Sequence, residues 1–279
     1  MSDYQTILYE IGGTNNSVCR ITMNRPDKYN AINFEMADEL YDAFRRVREE
    51  ASVGVVVFSG AGEKAFCTGG DLTIFPSLAD HQRGMNWLAH QGLDVQKAMT
   101  GCEKVIIGKI HGYCLAGGLE LALCCDLLYA KESAKIGTTE INMGVLPGWG
   151  GTARLVRCMP IFRAKEIIFS GRRDYTATEM YEMGLLTRVF KDAEFEERFE
   201  EIVSNISSKD PLALRMGKEV INYSAEGGNV EMALALERTG IRWISTRPER
   251  QAAREESKKD PEQFLKEQKQ RNIESDIKR

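Results

Sequence analysis

Clustered metal ligands are missing from the sequence. It contains only three histidines in 279 residues, none of them in an HxxxH pair, and its seven cysteines show no CxxC spacing. Structural zinc sites need such clusters, and an odd number of scattered cysteines does not indicate a disulfide framework. We therefore expect no metal centre, and we interpret most cysteines as small buried apolar residues in a reducing compartment.

Long apolar runs, a signal-peptide pattern and a basic surface are missing as well. No uninterrupted apolar run approaches the ~20 residues that a membrane-spanning helix requires, and the first residues lack the basic and apolar regions of a signal peptide. The formal net charge is −4, with 28% charged residues, and no basic stripe occurs outside a tail of mixed charge. These features argue against nucleic-acid and membrane partners and predict a cytoplasmic protein.

Strand and helix patterns alternate in the first half of the chain. Alternating or continuous apolar runs predict strands, and apolar residues at helical spacing predict helices between them. This order indicates a mainly parallel sheet with βαβ-type crossovers and ligand contacts at the strand ends. The predicted strands are Val18–Met23, Val53–Ser59, Lys104–Ile110, Leu127–Ala130 and Ala134–Ile136, and the predicted helices are Phe34–Glu50 and Arg83–Thr100.

After about residue 151 the pattern becomes mostly helical. We expect an α/β core over residues 1–200, then a helical region with a charged tail over residues 201–279. The later helices do not look able to bury all their apolar faces alone, so packing on the core or on another subunit is expected. The predicted helices are Thr152–Met159, Phe162–Ser170, Thr178–Met183, Ala193–Ser208, Leu212–Tyr223 and Val230–Ser245.

Two glutamates twenty positions apart, Glu120 and Glu140, are the candidate catalytic residues. Glu120 stands between Leu119 and Leu121, and Glu140 precedes Ile141. Burying a carboxylate is costly, so a chain that does this twice within a short stretch more plausibly uses the pair for proton transfer than for support. The alternatives are an exposed carboxylate at a helix start for Glu120 and a solvated position at a strand end for Glu140.

Four motifs occur in one order, with sensible spacing. They are Met23–Ile32 (MNRPDKYNAI), Lys64–Asp71 (KAFCTGGD), His111–Glu120 (HGYCLAGGLE) and Glu140–Gly148 (EINMGVLPG). They resemble the four signature blocks of the crotonase, or enoyl-CoA hydratase/isomerase, superfamily, and the segment after Gly171 resembles a fifth. The resemblance extends from about residue 5 to residue 265. It is highly specific for the fold and less specific for the reaction.

The resemblance implies an α/β fold, a crotonase-like spiral ββα core with a C-terminal α-helical trimerisation region. It implies homotrimers, or homohexamers built as dimers of trimers. Their substrate would be an acyl-CoA thioester, with coenzyme A as part of the substrate and no metal or separate cofactor. In the family's hydratases the positions of Glu120 and Glu140 are both glutamate, whereas isomerases, dehalogenases and naphthoyl-CoA ring closers replace one or both. Two retained glutamates therefore favour addition of water to an enoyl-CoA.

The family mechanism assigns roles to these residues. Glu140 is expected to deliver a proton to Cα, and Glu120 to activate the water that attacks Cβ, with one water shared between them. The resemblance also maps an oxyanion hole onto the backbone N–H groups of Gly70 and Gly117. Such donors stabilise the negative charge that develops on the thioester oxygen, and glycine allows the close approach. The alternative for these glycines is a tight turn or close packing.

Coenzyme A and the acyl group are expected along the turn at residues 24–31 and the loop at residues 67–72. We expect Asp71 to fix this loop rather than to take part in the chemistry. Trp149 stands where simple hydratases carry a small residue, and together with Trp87 it favours a cyclic or branched acyl group, unless both pack in the core. The predicted binding residues are Lys28, Ala31, Cys67, Thr68, Gly69, Asp71, Leu72, Tyr113 and Trp149.

Three other functions are compatible with the motifs. The same enolate platform serves double-bond isomerisation and the hydrolytic ring opening of a cyclic β-keto acyl-CoA. A function of another class would be a non-catalytic acyl-CoA-binding protein, against which the two intact glutamates argue. A phosphate-binding loop at residues 147–151 is disfavoured because that segment lacks the lysine and the preceding strand that such a loop needs.

Overall fold

The computed structural model describes residues 4–73, 90–259 and 261–262. Trp87 and the first part of the predicted helix Arg83–Thr100 lie outside these residues. No helix in the described ranges is long and apolar enough to cross a membrane. The strands are β1 Ile7–Gly12, β2 Val18–Met23, β3 Val55–Gly60, β4 Ala65–Cys67, β5 Val105–Ile110, β6 Tyr113–Leu115, β7 Leu127–Lys131, β8 Lys135–Gly137, β9 Tyr175–Thr176 and β10 Arg188–Phe190.

The helices cluster in the second half of the chain. Within the described ranges, short 3-10 helices are assigned at Thr14–Asn16, Pro26–Lys28 and Glu140–Met143. The α-helices are α1 Phe34–Glu49, α2 Gly92–Thr100, α3 Gly117–Ala122, α4 Gly151–Cys158, α5 Ile161–Ser170, α6 Ala177–Glu182, α7 Asp192–Ser207, α8 Pro211–Ala225, α9 Val230–Ser245 and α10 Pro248–Lys259.

Two sheets carry the strands. The larger sheet has the order β1-β2-β3-β5-β7-β10, and the smaller one has the order β4-β6-β8-β9. The larger sheet is parallel except for the antiparallel pair β1–β2, and in the smaller sheet only β8–β9 is antiparallel. Strands that follow each other in the sequence alternate between the sheets: β3, β5 and β7 belong to the larger sheet, and β4, β6 and β8 belong to the smaller one. The chain therefore winds as a spiral. Because equivalent strands of successive turns pair in parallel, their carboxyl ends lie at the same edge of each sheet.

The larger sheet is covered on both faces. Val56 and Phe58 of β3 face a core that includes the apolar side of α1, whereas Val55 and Val57 face the cluster that contains Phe199 of α7. A strand buried on both faces is continuously apolar, which explains the unbroken Val/Phe run. Helix α1 starts at Phe34 because the side chain of Asn33 accepts a hydrogen bond from the N–H of Met36, at 3.0 Å.

The predicted helices and the longer strands agree with the structure to within a few residues. Strand β8 was predicted as Ala134–Ile136, whereas β1 and the short strands β4, β6, β9 and β10 were not predicted. For the last four, two or three residues are too few to show a period of two. The glycine-rich segment at residues 112–118 contains β6 and the start of α3. β9 and β10 interrupt the region after residue 151 that was predicted as mostly helical.

Helices α8 and α9 pack against each other and leave apolar side chains in solvent. Gly240 of α9 lies against Met216 of α8, since a Cβ at Gly240 would meet the Met216 side chain at 3.0 Å. Residue 200 lies inside α7, and the division at residues 200 and 201 stays a prediction. The exposed apolar residues of this helix pair are Ile221, Val230, Met232, Leu234, Ile241 and Trp243.

Candidate active site

Glu120 lies in the first turn of α3 with only 2% of its surface exposed. Its Oε1 accepts two hydrogen bonds, from the backbone N–H groups of Trp149 and Gly151, both at 2.7 Å. These two donors fix one oxygen of the carboxylate. The chain thus holds a buried carboxylate with backbone donors rather than with a cation.

The segment that supplies these donors is anchored by the indole of Trp149. Gly150 adopts φ +94 and precedes α4, so the chain turns sharply between the two donors. The indole is buried and lies so close to Gly92 that a Cβ there would meet Cε2 at 2.1 Å. Trp149 therefore has a packing role, and a role in shaping the acyl pocket stays a prediction.

Glu140 begins the 3-10 helix Glu140–Met143 and is 7% exposed. Its Oε2 accepts a hydrogen bond from the backbone N–H of Thr139 at 2.7 Å. Its Oε1 is buried, and no described residue donates a hydrogen bond to it. One oxygen is therefore held by the backbone, and the other is available to a ligand or a water.

Burial raises the pKa of both carboxyl groups above the ordinary value. Burial raises the pKa of Glu120 to about 7; the nearby charge of Glu140 adds to this rise, and the hydrogen bonds from Gly151 and Trp149 oppose it. Burial also raises the pKa of Glu140, against the backbone hydrogen bonds to that group. A carboxyl group whose pKa lies near the working pH can both accept and donate a proton at a useful rate.

The two predicted oxyanion-hole glycines lie side by side. A Cβ at Gly117 would be 3.7 Å from the backbone nitrogen of Gly70, and a Cβ at Gly69 would be 2.9 Å from the nitrogen of Gly117. Among the described residues, no acceptor takes a hydrogen bond from the N–H of Gly70 or of Gly117. Ala116, just before the second donor, adopts φ 51 and ψ −128, a strained conformation that is typical of functional sites.

Parallel pairing brings these two glycine segments together. β4 pairs with β6, with Cys67 opposite Cys114, so the loops that follow both strands emerge at one edge. A Cβ at Gly118 would lie 2.2 Å from the carbonyl oxygen of Cys67, so only glycine allows α3 to start here. The glycines at this edge therefore allow close packing, and the N–H groups of Gly70 and Gly117 have no acceptor among the described residues. The oxyanion-hole interpretation and the packing interpretation of these glycines are compatible.

The other predicted binding residues lie around this edge, with differing exposure. Cys67 is fully buried and burial raises the pKa of its thiol to about 12, so it has a packing role. Leu72 is exposed, Lys28 is exposed at the end of a 3-10 helix, and the hydroxyl of Thr68 donates to the carbonyl of Tyr29 at 3.4 Å. A role in coenzyme A binding stays a prediction for these positions, as it does for Ala31, Gly69, Asp71 and Tyr113.

The sequence analysis did not single out Arg25 and Asn30. Asn30 is fully buried, and its carboxamide donates to the carbonyls of Ala61 and Ala65, at 2.9 and 2.8 Å. The guanidinium of Arg25 pairs with Asp71. Both residues stand inside the first motif. Their place in that motif was a signal that could have pointed to them. The sequence does not show which distant residues they contact.

Comparison with known proteins supports the fold. The sequence profile of the enoyl-CoA hydratase/isomerase family matches residues 13–270. The short-chain-enoyl-CoA hydratase of Clostridium acetobutylicum is 31% identical over 225 residues, which cover 79% of this chain and 83% of that protein. The crotonyl-CoA hydratase of Syntrophomonas wolfei is 32% identical over 216 residues, covering 77% and 81% respectively. The crystal structure of an enoyl-CoA hydratase from Bacillus anthracis has a TM-score of 0.84 and 32% identity, across 91% of this chain and 96% of that one. This likeness confirms the predicted crotonase-like spiral fold with C-terminal helices.

Proposed function

The chain belongs to the enoyl-CoA hydratase/isomerase family, and from this premise we propose that it adds water across the α,β double bond of an enoyl-CoA thioester. The observation that carries the proposal is the buried pair Glu120 and Glu140. Glu120 lies in the same short helix as Gly117, and the backbone nitrogen of Gly70 lies beside Gly117. A binding protein has no need of two desolvated carboxylates. An isomerase needs one base, whereas hydration needs a group for the water and a group for Cα.

In this reaction Glu120 removes a proton from the water as its oxygen attacks Cβ. The electrons of the double bond move towards Cα and the thioester oxygen, which becomes negatively charged. The N–H groups of Gly70 and Gly117 stabilise that charge, and loss of one such donor typically costs about 2.7–4 kcal/mol of barrier. Glu140 then delivers a proton to Cα, so the product has gained one water. The two glutamates exchange protons around one water and titrate as a pair.

The electrostatics of the pair support this assignment. The pKa of Glu120 is about 7, so part of the protein carries an ionised Glu120 near neutral pH. Because its pKa is raised, this carboxylate is a stronger base than an ordinary glutamate. The raised pKa of Glu140 favours a proton on that group, as an acid requires. Reversal of the roles in the dehydration direction follows from microscopic reversibility.

Several finer properties belong to the same proposal. We propose that the exposed apolar faces of α8 and α9 join copies of the chain into a homotrimer, or a dimer of trimers, with residues 201–279 as the assembling region. We further propose a cytoplasmic protein that needs no metal or separate cofactor, with a cyclic or branched acyl group as substrate. Sedimentation equilibrium would measure the assembly, and turnover after chelator treatment would test for a metal.

The deciding experiment incubates the protein with linear, branched and cyclic enoyl-CoAs and with a cyclic β-keto acyl-CoA. Mass spectrometry follows the product mass, and NMR follows the position of the double bond. Gain or loss of one water supports the hydratase. A shifted double bond without a mass change would support the isomerase instead, and water gain only with a cyclic β-keto acyl-CoA would support ring opening. Tight binding without turnover of any substrate would support the non-catalytic binding protein. The variant carrying both Glu120→Gln and Glu140→Gln is the control for background hydration.

A further inference from the structure

A mostly buried ion pair lies directly beside the first oxyanion-hole donor. The guanidinium Nη2 of Arg25 is 2.8 Å from Oδ2 of Asp71, and the two side chains are 18% and 6% exposed. The other oxygen of Asp71 accepts from the backbone N–H and the hydroxyl of Thr73, at 3.0 and 2.6 Å. Burial by itself would raise the pKa of Asp71, but the hydrogen bonds from Thr73 and Arg25 lower it below its usual range. Asp71 is thus a fully engaged, charged group.

The same guanidinium reaches a second segment of the chain. Nη1 of Arg25 donates to the carbonyl of Ala31 at 2.5 Å, and the backbone N–H of Arg25 donates to the side chain of Asn30 at 3.0 Å. The planar fork of an arginine can hold two acceptors in fixed directions, which a lysine cannot do. Arg25 therefore ties the residue before Ile32 to the residue after Gly70.

Between these two ties, Ile32 and Gly70 form an isolated parallel bridge. The N–H of Ile32 donates to the carbonyl of Gly69, and the N–H of Asp71 donates to the carbonyl of Ile32, both at 2.8 Å. Backbone N–H groups alternate sides along an extended segment. Because the groups on either side of Gly70 are directed at Ile32, the N–H of Gly70 is directed to the opposite side. The neighbour there is Gly117, as the 3.7 Å approach of its Cβ position shows.

We propose that Arg25 and Asp71 are positioning residues that fix the direction of the Gly70 N–H and so the shape of the oxyanion hole. The inference rests on the proposed function and adds to it a clamp that links two of the sequence motifs. Neither side chain contributes the donor itself. Without the clamp, the loop is held by the bridge between Ile32 and Gly70 and by the long hydrogen bond from Thr68 to Tyr29. A misdirected N–H then stabilises the transition state less, and this loss is larger than the loss in ground-state binding.

Asp71→Asn and Arg25→Lys are the test variants, because both keep side-chain size and neither removes a backbone donor. Three quantities are measured: kcat with the best enoyl-CoA, Kd for butyryl-CoA, and the ¹³C shift of the carbonyl of bound [1-¹³C]butyryl-CoA. That shift reports hydrogen bonding at the thioester oxygen, and butyryl-CoA does not react. Loss of a whole donor lowers kcat by about 10²–10³. For a misdirected donor we expect a fall of roughly 10–100-fold, with Kd changed by less than about threefold, and a carbonyl shift that moves towards the free value.

A second ion pair, which is partly exposed, serves as the control. Lys218 and Asp126 are 2.8 Å apart with side chains 8% and 22% exposed, and each also binds a backbone group. Asp126 directly precedes β7 and accepts a hydrogen bond from the N–H of Ile106 in β5, and Lys218 reaches it from α8. This pair lies at the N-terminal ends of the two strands, away from the glycine edge. Asp126→Asn should therefore lower stability without changing kcat or the carbonyl shift.

The outcomes separate the clamp from the alternatives. A wild-type carbonyl shift in both test variants would overturn the clamp, even if kcat falls. A rise in Kd in proportion to the fall in kcat/KM, with an unchanged shift, would show that Arg25 contacts coenzyme A instead. If wild type hydrates no enoyl-CoA, the proposed function fails, but the shift of bound butyryl-CoA still tests the clamp. Should Asp71→Asn not fold, Arg25→Lys gives the same readouts with the charge retained.

Discussion

Replacing Glu120 with glutamine should make the protein more stable above neutral pH, although it removes a catalytic group. The pKa of Glu120 is about 7 against an ordinary value of 4.5. Each unit of such a difference corresponds to about 1.36 kcal/mol. The ionised form is thus disfavoured in the folded protein by about 3 kcal/mol at most. The Oε1 of a glutamine can still accept the hydrogen bonds from Trp149 and Gly151.

The sign follows from the direction of the pKa shift. A group whose pKa is raised on folding contributes full stability below the unfolded pKa, and the protein loses that stability as pH rises through the folded pKa. Wild type should therefore lose up to about 3 kcal/mol through Glu120 between pH 4.5 and pH 7, a loss that Glu120→Gln avoids. Relative to wild type, the variant should gain stability across that window and keep the gain above it.

Urea unfolding at pH 5, 6, 7 and 8 measures this difference. The exposed Glu182→Gln, in α6, is the control for removing one negative charge from the surface. Its curve of unfolding free energy against pH should run parallel to that of wild type. A parallel curve for Glu120→Gln as well would refute the buried, raised-pKa carboxylate on which the mechanism depends.

Three further predictions address the chemistry and the pocket. Glu120→Gln and Glu140→Gln should each lower kcat by roughly 10²–10⁴, and the double variant should lose far less than the product, since both serve one water; fully multiplicative losses would show independent action. Gly117→Pro removes a donor and should depress kcat while a ground-state thioester binds within about an order of magnitude; unchanged kcat in a variant that circular dichroism shows to be folded would exclude this N–H from the site. Trp149→Ala should lower stability by about 3–5 kcal/mol as a buried aromatic. If the indole also shapes the acyl pocket, the kcat/KM ratio of crotonyl-CoA to cyclohexenecarbonyl-CoA should rise, whereas an unchanged ratio would leave only packing. Gly92→Ala, which meets the same indole, is its partner variant.

Local patterns in the sequence were sufficient for most of the elements that are long enough to show a period, although β1 was missed. The Val/Phe run around β3 and the apolar stripe of α1 predicted their elements because burial on one or both faces repeats along the chain. The apolar neighbours of Glu120 likewise predicted its burial, and the glycine pairs predicted a close backbone approach. These features depend on residues within a few positions of each other, so they can be predicted from short stretches of the sequence.

The direction of each functional group was decided only by the tertiary structure. The donors to Glu120 lie 29 and 31 residues further along the chain. Asp71, the partner of Arg25, is 46 residues away from it. No period relates such positions, because they meet only when parallel strands bring successive loops to one edge of a sheet. The sequence thus determined which residues are buried or free to turn, whereas the fold decided which oxygen is held and which N–H is left for a ligand.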